Sequence, residues 1–169
     1  MKDDYCPVQL SGLIADAVSD NSSYAQELEV MLKMLPVDTD IFVRADPMRL
    51  EQVITKLVSN AAKFSNPHSE VTLAVSATPD HVRITVCDQG PGVDPAHHDH
   101  IFDSFSQLDN SDIRKFSGTG LGLNISKRIV EAHGGRIGFE PNAPVGTVFF
   151  VELARIIPAM HAPSTKVCA

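Results

Sequence analysis

Val82-Arg83-Ile84-Thr85-Val86-Cys87-Asp88-Gln89-Gly90-Pro91-Gly92 reads as a strand that ends in a carboxylate followed by two glycines. Val82, Ile84 and Val86 alternate with other residues at the two-residue period of a half-buried strand. Asp88 continues that apolar phase, so its carboxylate is expected to point towards the core, where it needs a partner. A turn cap is the plainer reading of the same residue. The run before it, with Val71, Leu73 and Val75, joins through Ala77-Thr78-Pro79-Asp80-His81, and the pair reads as an antiparallel hairpin.

A second glycine block follows about thirty residues later. Gly118-Thr119-Gly120-Leu121-Gly122-Leu123 opens a helix, and its glycines let backbone N–H groups approach an anion. Between the blocks lies a polar stretch of lid length. Strand, acidic glycine turn, lid, glycine turn and helix together suggest a nucleotide pocket with a movable cover. The helix after Gly120 is expected to bury Leu121, Ile125, Ile129 and Ala132 and to stop at Gly134-Gly135. Residues 136–140 and 147–153 then read as closing strands around a turn at 141–146.

Upstream, residues 8–10 suggest a short strand, 11–27 a helix and 28–35 an extended run. Asp46-Pro47 is a helix start, with a capping carboxylate and proline at the first helical position. Leu50, Val53, Ile54, Leu57, Val58 and Ala61 make the apolar face of that helix. Arg49, Gln52, Lys56, Asn60 and Lys63 recur at spacings of three and four and form a polar stripe along it. A solvated face is the plain alternative for that stripe.

Composition sets outer limits. The 169 residues, 43% hydrophobic and 21% charged, suit one globular domain with a real core. A formal net charge of −7 argues against general nucleic-acid or anionic-membrane binding, so any phosphate recognition must be local. The most apolar stretch, 148–160, contains Glu152, Arg155 and Pro158 and is too short to span a bilayer. Three cysteines, Cys6, Cys87 and Cys168, lack C-x-x-C spacing and fit a reducing cytoplasm.

The chain resembles the catalytic, ATP-binding domain of sensor histidine kinases, in the wider ATPase superfamily that includes gyrase, heat-shock chaperones and mismatch-repair proteins. Four blocks carry the resemblance, in order, over residues 8–153. Asp46-Pro47-Met48-Arg49-Leu50 through Asn60-Ala61-Ala62-Lys63-Phe64-Ser65 is similar to the family's N box. Asp88-Gln89-Gly90-Pro91-Gly92 is similar to the G1 box, Ile101-Phe102-Asp103-Ser104-Phe105 to the F box, and Gly118-Thr119-Gly120-Leu121-Gly122-Leu123 to the G2 box. The resemblance implies an α+β, two-layer α/β sandwich (the Bergerat fold), with a mixed, mainly antiparallel sheet on about three helices and a flexible ATP lid at residues 93–117. The domain would span residues 1–155, with 156–169 a tail or linker.

The resemblance also implies residue roles. Asn60 would hold Mg²⁺. Lys63 would contact a phosphate and Phe64 would pack on the adenine. Asp88 would bind the adenine amino group, helped by a water near Gly92, with Gly90 shaping the turn and Thr147 in the same polar network. Gly118, Thr119, Gly120, Leu121 and Gly122 would present backbone donors to the phosphates, and Arg114 or Lys115 would approach the γ-phosphate from the lid. The reaction implied is transfer of the γ-phosphate of Mg·ATP to a histidine. None of the seven histidines resembles the family's phosphoacceptor motif, so the acceptor is expected on an upstream dimerisation domain. The isolated domain is then expected to be monomeric and cytoplasmic, with a response regulator or receiver domain as a further partner.

Two residues depart from the family pattern. Lys56 stands where most members carry asparagine, one turn before the Mg²⁺-binding Asn60. Its ammonium is expected near the phosphates, partly replacing a metal contact. Lys56 also keeps open a nucleotide-sensing or scaffold module without phosphotransfer. Ser117 replaces a common glycine. A transition-metal cluster of His97, His98 and His100 with Asp94 and Asp99 is the minor reading of residues better explained as a solvated loop.

Overall fold

The computed structural model describes residues 4–103 and 122–159. Seven strands form one sheet: β1 (Cys6–Gln9), β2 (Met31–Met34), β3 (Phe42–Ala45), β4 (Glu70–Ala77), β5 (His81–Cys87), β6 (Arg136–Pro141) and β7 (Thr147–Ile156). Three helices pack with it: α1 (Leu10–Glu27), α2 (Pro47–Phe64) and α3 (Gly122–Ala132). The strand order is β1-β3-β7-β5-β4-β2, and β6 also pairs with β7. Every pairing is antiparallel except β2 with β4. This is the mixed, mainly antiparallel α/β sandwich that the motifs imply.

β7 is the hub. One edge pairs with β5, while the other pairs first with β6 and then with β3. Val82, Ile84 and Val86 of β5 and Phe149, Val151 and Leu153 of β7 are buried in phase, against Leu50, Val53, Ile54, Leu57 and Val58 of α2. Phe150, of opposite phase, is covered by the guanidinium groups of Arg83 and Arg136, 4.0 and 5.2 Å from its ring centre. Arginine stacking of this kind shields an aromatic ring on the face away from the helices.

α2 begins as its sequence requires. The Asp46 carboxylate accepts from the Arg49 N–H at 3.1 Å, and Pro47 fills the first helical position. Two sequence expectations need correction. β3 was not anticipated, because its four residues are too few to show alternation and pairing with β1 and β7 makes the strand. The buried face of α3 is also different from the expected one. Ile125 is 42% exposed and Ala132 is exposed, while Ser126, Ile129 and Val130 are buried. The Ser126 hydroxyl donates to the Gly122 carbonyl at 2.9 Å, so a small, internally satisfied residue can face α2. Leu121 lies outside the described residues.

His133 ties three segments together. Its Nδ1 meets the Ile129 carbonyl at 2.7 Å, and its Nε2 accepts the Asp46 N–H at 3.0 Å. Those two bonds select the neutral tautomer with the proton on Nδ1. Tyr5 packs on the ring at 4.9 Å between centres and donates its hydroxyl to the Ala132 carbonyl at 3.0 Å. The end of α3 and the start of α2 therefore share one side chain. His133→Ala leaves a part-buried N–H without its acceptor and is expected to lower stability by about 1–3 kcal/mol in urea denaturation, with an unchanged m-value.

Candidate functional site

The site is built at the end of β5, where the register with β7 continues one residue past the strand. Asp88 N–H donates to the Thr147 carbonyl at 2.9 Å, and Thr147 N–H returns a bond to Asp88 Oδ1 at 3.0 Å. Gly90 N–H donates to the same Oδ1 at 2.9 Å. Neither bond uses Oδ2. Asp88 is 3% exposed, so the in-phase carboxylate does point inward, and its turn is capped as well. Burial pushes the Asp88 carboxyl above its ordinary range, and the N–H groups of Gly90 and Thr147 pull the other way. The neighbouring Cys87 thiol is also pushed up, by burial and then by the Asp88 charge, with the Thr85 hydrogen bond opposing.

Two glycines make this geometry possible. A side chain at Gly90 would overlap the Phe64 carbonyl, so the turn lies directly against the end of α2. Gly146 has φ of +118°, and a side chain there would overlap the Asp88 carbonyl. That carbonyl accepts from Asn142 Nδ2 at 3.0 Å. Asn142 and Gly146 belong to the site's support and were not singled out from sequence. The signal available was only their place in the turn immediately before Thr147.

The polar stripe of α2 runs away from this carboxylate. Phe64, Lys63, Asn60 and Lys56 are all half-buried. Lys63 Nζ lies 5.8 Å from the Phe64 ring centre. Desolvation, and then the charge of Lys56, push the Lys63 ammonium below its ordinary range. Lys56 in turn lies against the first residue of α3, for a side chain at Gly122 would overlap its Cε. Lys56, Ser59, Gly122, Ile125, Ser126 and Gln52 line a groove of about 650 Å³ between α2 and α3.

After the Gly90 turn comes a 3₁₀ turn, Pro95–His97, capped by Asp94. Phe102 packs near Phe139 and Phe149, with ring centres 6.2 and 6.5 Å away, and its carbonyl accepts from Asn124 Nδ2 at 3.0 Å. This F-box residue is core packing. Among the described residues no group of three or more His, Cys, Asp or Glu side chains is arranged to hold a metal ion. Phe105, Arg114, Lys115, Ser117, Gly118, Thr119, Gly120 and Leu121 lie outside the described residues. Of the sequence-derived site, the structure brings Asp88, Gly90 and Thr147 to the C-terminal end of α2 beside Lys63 and Phe64, while Asn60 lies about one turn and Lys56, against Gly122, about two turns back along the helix.

Residues 45–156 match the family model described as histidine kinase-, DNA gyrase B- and HSP90-like ATPase. The circadian input-output histidine kinase CikA of Synechococcus elongatus is 38% identical over 164 residues, covering 94% of this chain and 22% of that protein. Full-length ShkA, solved in complex with AMPPNP, is similar with a TM-score of 0.77 and 31% identity, over 93% of this chain and 32% of that one. The catalytic domain of histidine kinase ThkA superposes with a TM-score of 0.79 at 26% identity, over 90% of this chain and 98% of that domain, and ThkA has also been solved with the response regulator TrrA. The chain spans less than a third of the length of the curated relatives that it matches most closely in this set. The chain belongs to the family of histidine kinase-, DNA gyrase B- and HSP90-like ATPases.

The raised Asp88 pKa fixes the sign of a pH effect. An acid with a raised folded pKa holds its proton longer when folded, so its contribution to stability is lost as pH rises from the unfolded value near 3.8 through the folded one. The buried carboxyl is therefore a burden on the empty domain that grows as pH rises. Asp88→Asn keeps a side-chain oxygen for Gly90 and Thr147 and is expected to melt at or above the wild-type temperature at pH 7. Thermal scans from pH 4 to pH 7 should show a flatter slope for the variant; a large loss of stability at neutral pH would assign Asp88 a purely structural role.

Proposed function

We propose that this chain is the ATP-binding catalytic domain of a sensor histidine kinase, transferring the γ-phosphate of ATP to a histidine on a dimerisation domain outside the sequence given. The observation that carries the reading is a buried carboxylate with a spare oxygen beside the end of α2, the helix whose polar face carries Lys56, Asn60 and Lys63. Asp88 would accept from the adenine amino group, with Gly92 and Thr147 in the same polar network and Phe64 against the ring. Lys63, Lys56 and the backbone of residues 118–122 would meet the phosphates, with Arg114 or Lys115 arriving from the lid. The domain would occupy residues 1–155, leaving 156–169 as a tail or linker.

Mg²⁺ fits the residues present in one way. Asn60 offers a neutral, hard amide oxygen and makes no recorded side-chain hydrogen bond among the described residues, yet lysines stand four residues before and three residues after it. Such a place repels a bare dication and suits one that arrives on nucleotide phosphates. When bound, the ion would supply charge neutralisation at the phosphates. The chain's own residues orient the nucleotide and exclude water, which is most of what phosphoryl transfer to a neutral imidazole requires.

The partners proposed are ATP and ADP, the histidine-bearing domain, and a response regulator or receiver domain; the domain would be monomeric when isolated and cytoplasmic. No described helix is long and apolar enough to cross a membrane. Lys56 favours one alternative, a nucleotide-sensing or scaffold module of the same fold that binds without transferring phosphate.

Calorimetric titration tests binding. ATP and ADP should saturate the wild-type domain, and Asp88→Asn should bind roughly 10- to 100-fold more weakly, as loss of a hydrogen bond of about 1.5–3 kcal/mol implies. Label from γ-³²P-ATP should then pass to a supplied acceptor domain. Saturable binding with no transfer would select the sensing module, and absence of binding would overturn both readings.

A further inference from the structure

Lys56 of the α2 stripe lies against a second helix. Its stem crosses Gly122, the first residue of α3, so closely that a side chain there would overlap Lys56 Cε, with Nζ and Cδ 2.8 and 2.9 Å from the same point. The groove also contains the carboxylates of Asp20 and Glu51, but no ion pair of Lys56 is recorded among the described residues. Instead its ammonium faces other positive charge. Lys63 lies close enough to feel Lys56. Lys56 and Lys63 thus lie near each other on α2, and no ion pair of either is recorded among the described residues, although Asp20 and Glu51 line the same groove. Such an arrangement is unfavourable in the empty protein and becomes favourable when a polyanion enters.

We propose that Lys56 is a direct phosphate ligand that takes over part of the charge neutralisation otherwise left to the divalent cation. The domain then binds a nucleoside di- or triphosphate with only weak dependence on Mg²⁺. This rests on the nucleotide reading of the site given above. The reasoning is electrostatic. A fixed ammonium and Mg²⁺ compete for the same oxygens, so a site that already holds the first gains less from the second. An asparagine or methionine at position 56 restores the need for metal. Arginine keeps the charge.

The test is titration of ADP into the full chain, with millimolar Mg²⁺ and separately with excess chelator. Wild type is expected to bind under both conditions, with affinities within about threefold of each other. Lys56→Asn and Lys56→Met should each lose about tenfold or more in chelator and clearly less with Mg²⁺, whereas Lys56→Arg should stay near wild type in chelator. Gly122→Ala displaces the lysine, so it should weaken chelator binding on its own and add little on top of Lys56→Met. If Lys56→Asn and Lys56→Met bind as wild type does in chelator, the lysine only packs on Gly122 and the proposal is overturned while the nucleotide reading stands. A wild type that binds ADP only with Mg²⁺ overturns it in the same way. A wild type that binds under neither condition overturns the nucleotide reading, and this proposal with it.

Discussion

Asp88 accepts two backbone N–H groups on a single carboxylate oxygen while 3% exposed, and the surrounding chain is arranged to permit that. The β5 to β7 register delivers Thr147 opposite it. The absence of a side chain at Gly146 lets the next turn close over its carbonyl, and the absence of one at Gly90 lets the turn touch the end of α2. Two backbone bonds do not fully offset the loss of water around a carboxylate, which is why the group holds its proton more tightly than usual. Nothing in the packing of the sheet requires an acid at this point. An amide or a hydroxyl would satisfy the same two donors at a smaller desolvation cost.

The polar face of α2 carries the complementary burden. Lys56 and Lys63 lie on one face of the helix, partly desolvated, with the start of α3 beside them. At a rise of about 1.5 Å per residue, Lys56 is roughly 12 Å along the helix from Phe64, whose carbonyl touches the Gly90 turn. A single helix therefore sets the separation between the Asp88 turn and the Lys56 side chain. A ligand that relieves both must be elongated, with a hydrogen-bond donor at one end and negative charge at the other. That requirement comes from the domain's own unpaired electrostatics and agrees with the chemistry of an adenine nucleotide.

Much of this arrangement was legible in sequence because it rests on short-range regularities. The in-phase Asp88, the Asp46-Pro47 helix start and the two-faced α2 follow from strand and helix periods. The parts that escaped are tertiary. β3 is four residues long and exists through pairing with β1 and β7. The inward face of α3 was misassigned because hydrophobicity pointed to Ile125, whereas the close approach of α3 to α2 favours Gly122 and Ser126. Asn142 and Gly146 support Asp88 from 54 and 58 positions away, a distance at which one sequence without its fold carries no pairing signal.

The inward set on α3 also explains how Lys56 stays in register with the Asp88 turn. Gly122 sits under the Lys56 stem, Ser126 satisfies its own hydroxyl, and His133 just beyond the helix accepts the first N–H of the α2 cap. Contacts at both ends restrict sliding of α3 along α2, and Asn124 fixes the segment after the Gly90 turn to the same helix through Phe102. A displacement of α3 that loosened its hold on Lys56 would have to disturb either the α2 cap or the Phe102 anchor. Charge at the phosphate end and packing at the far end are thus coupled through one rigid element of eleven residues.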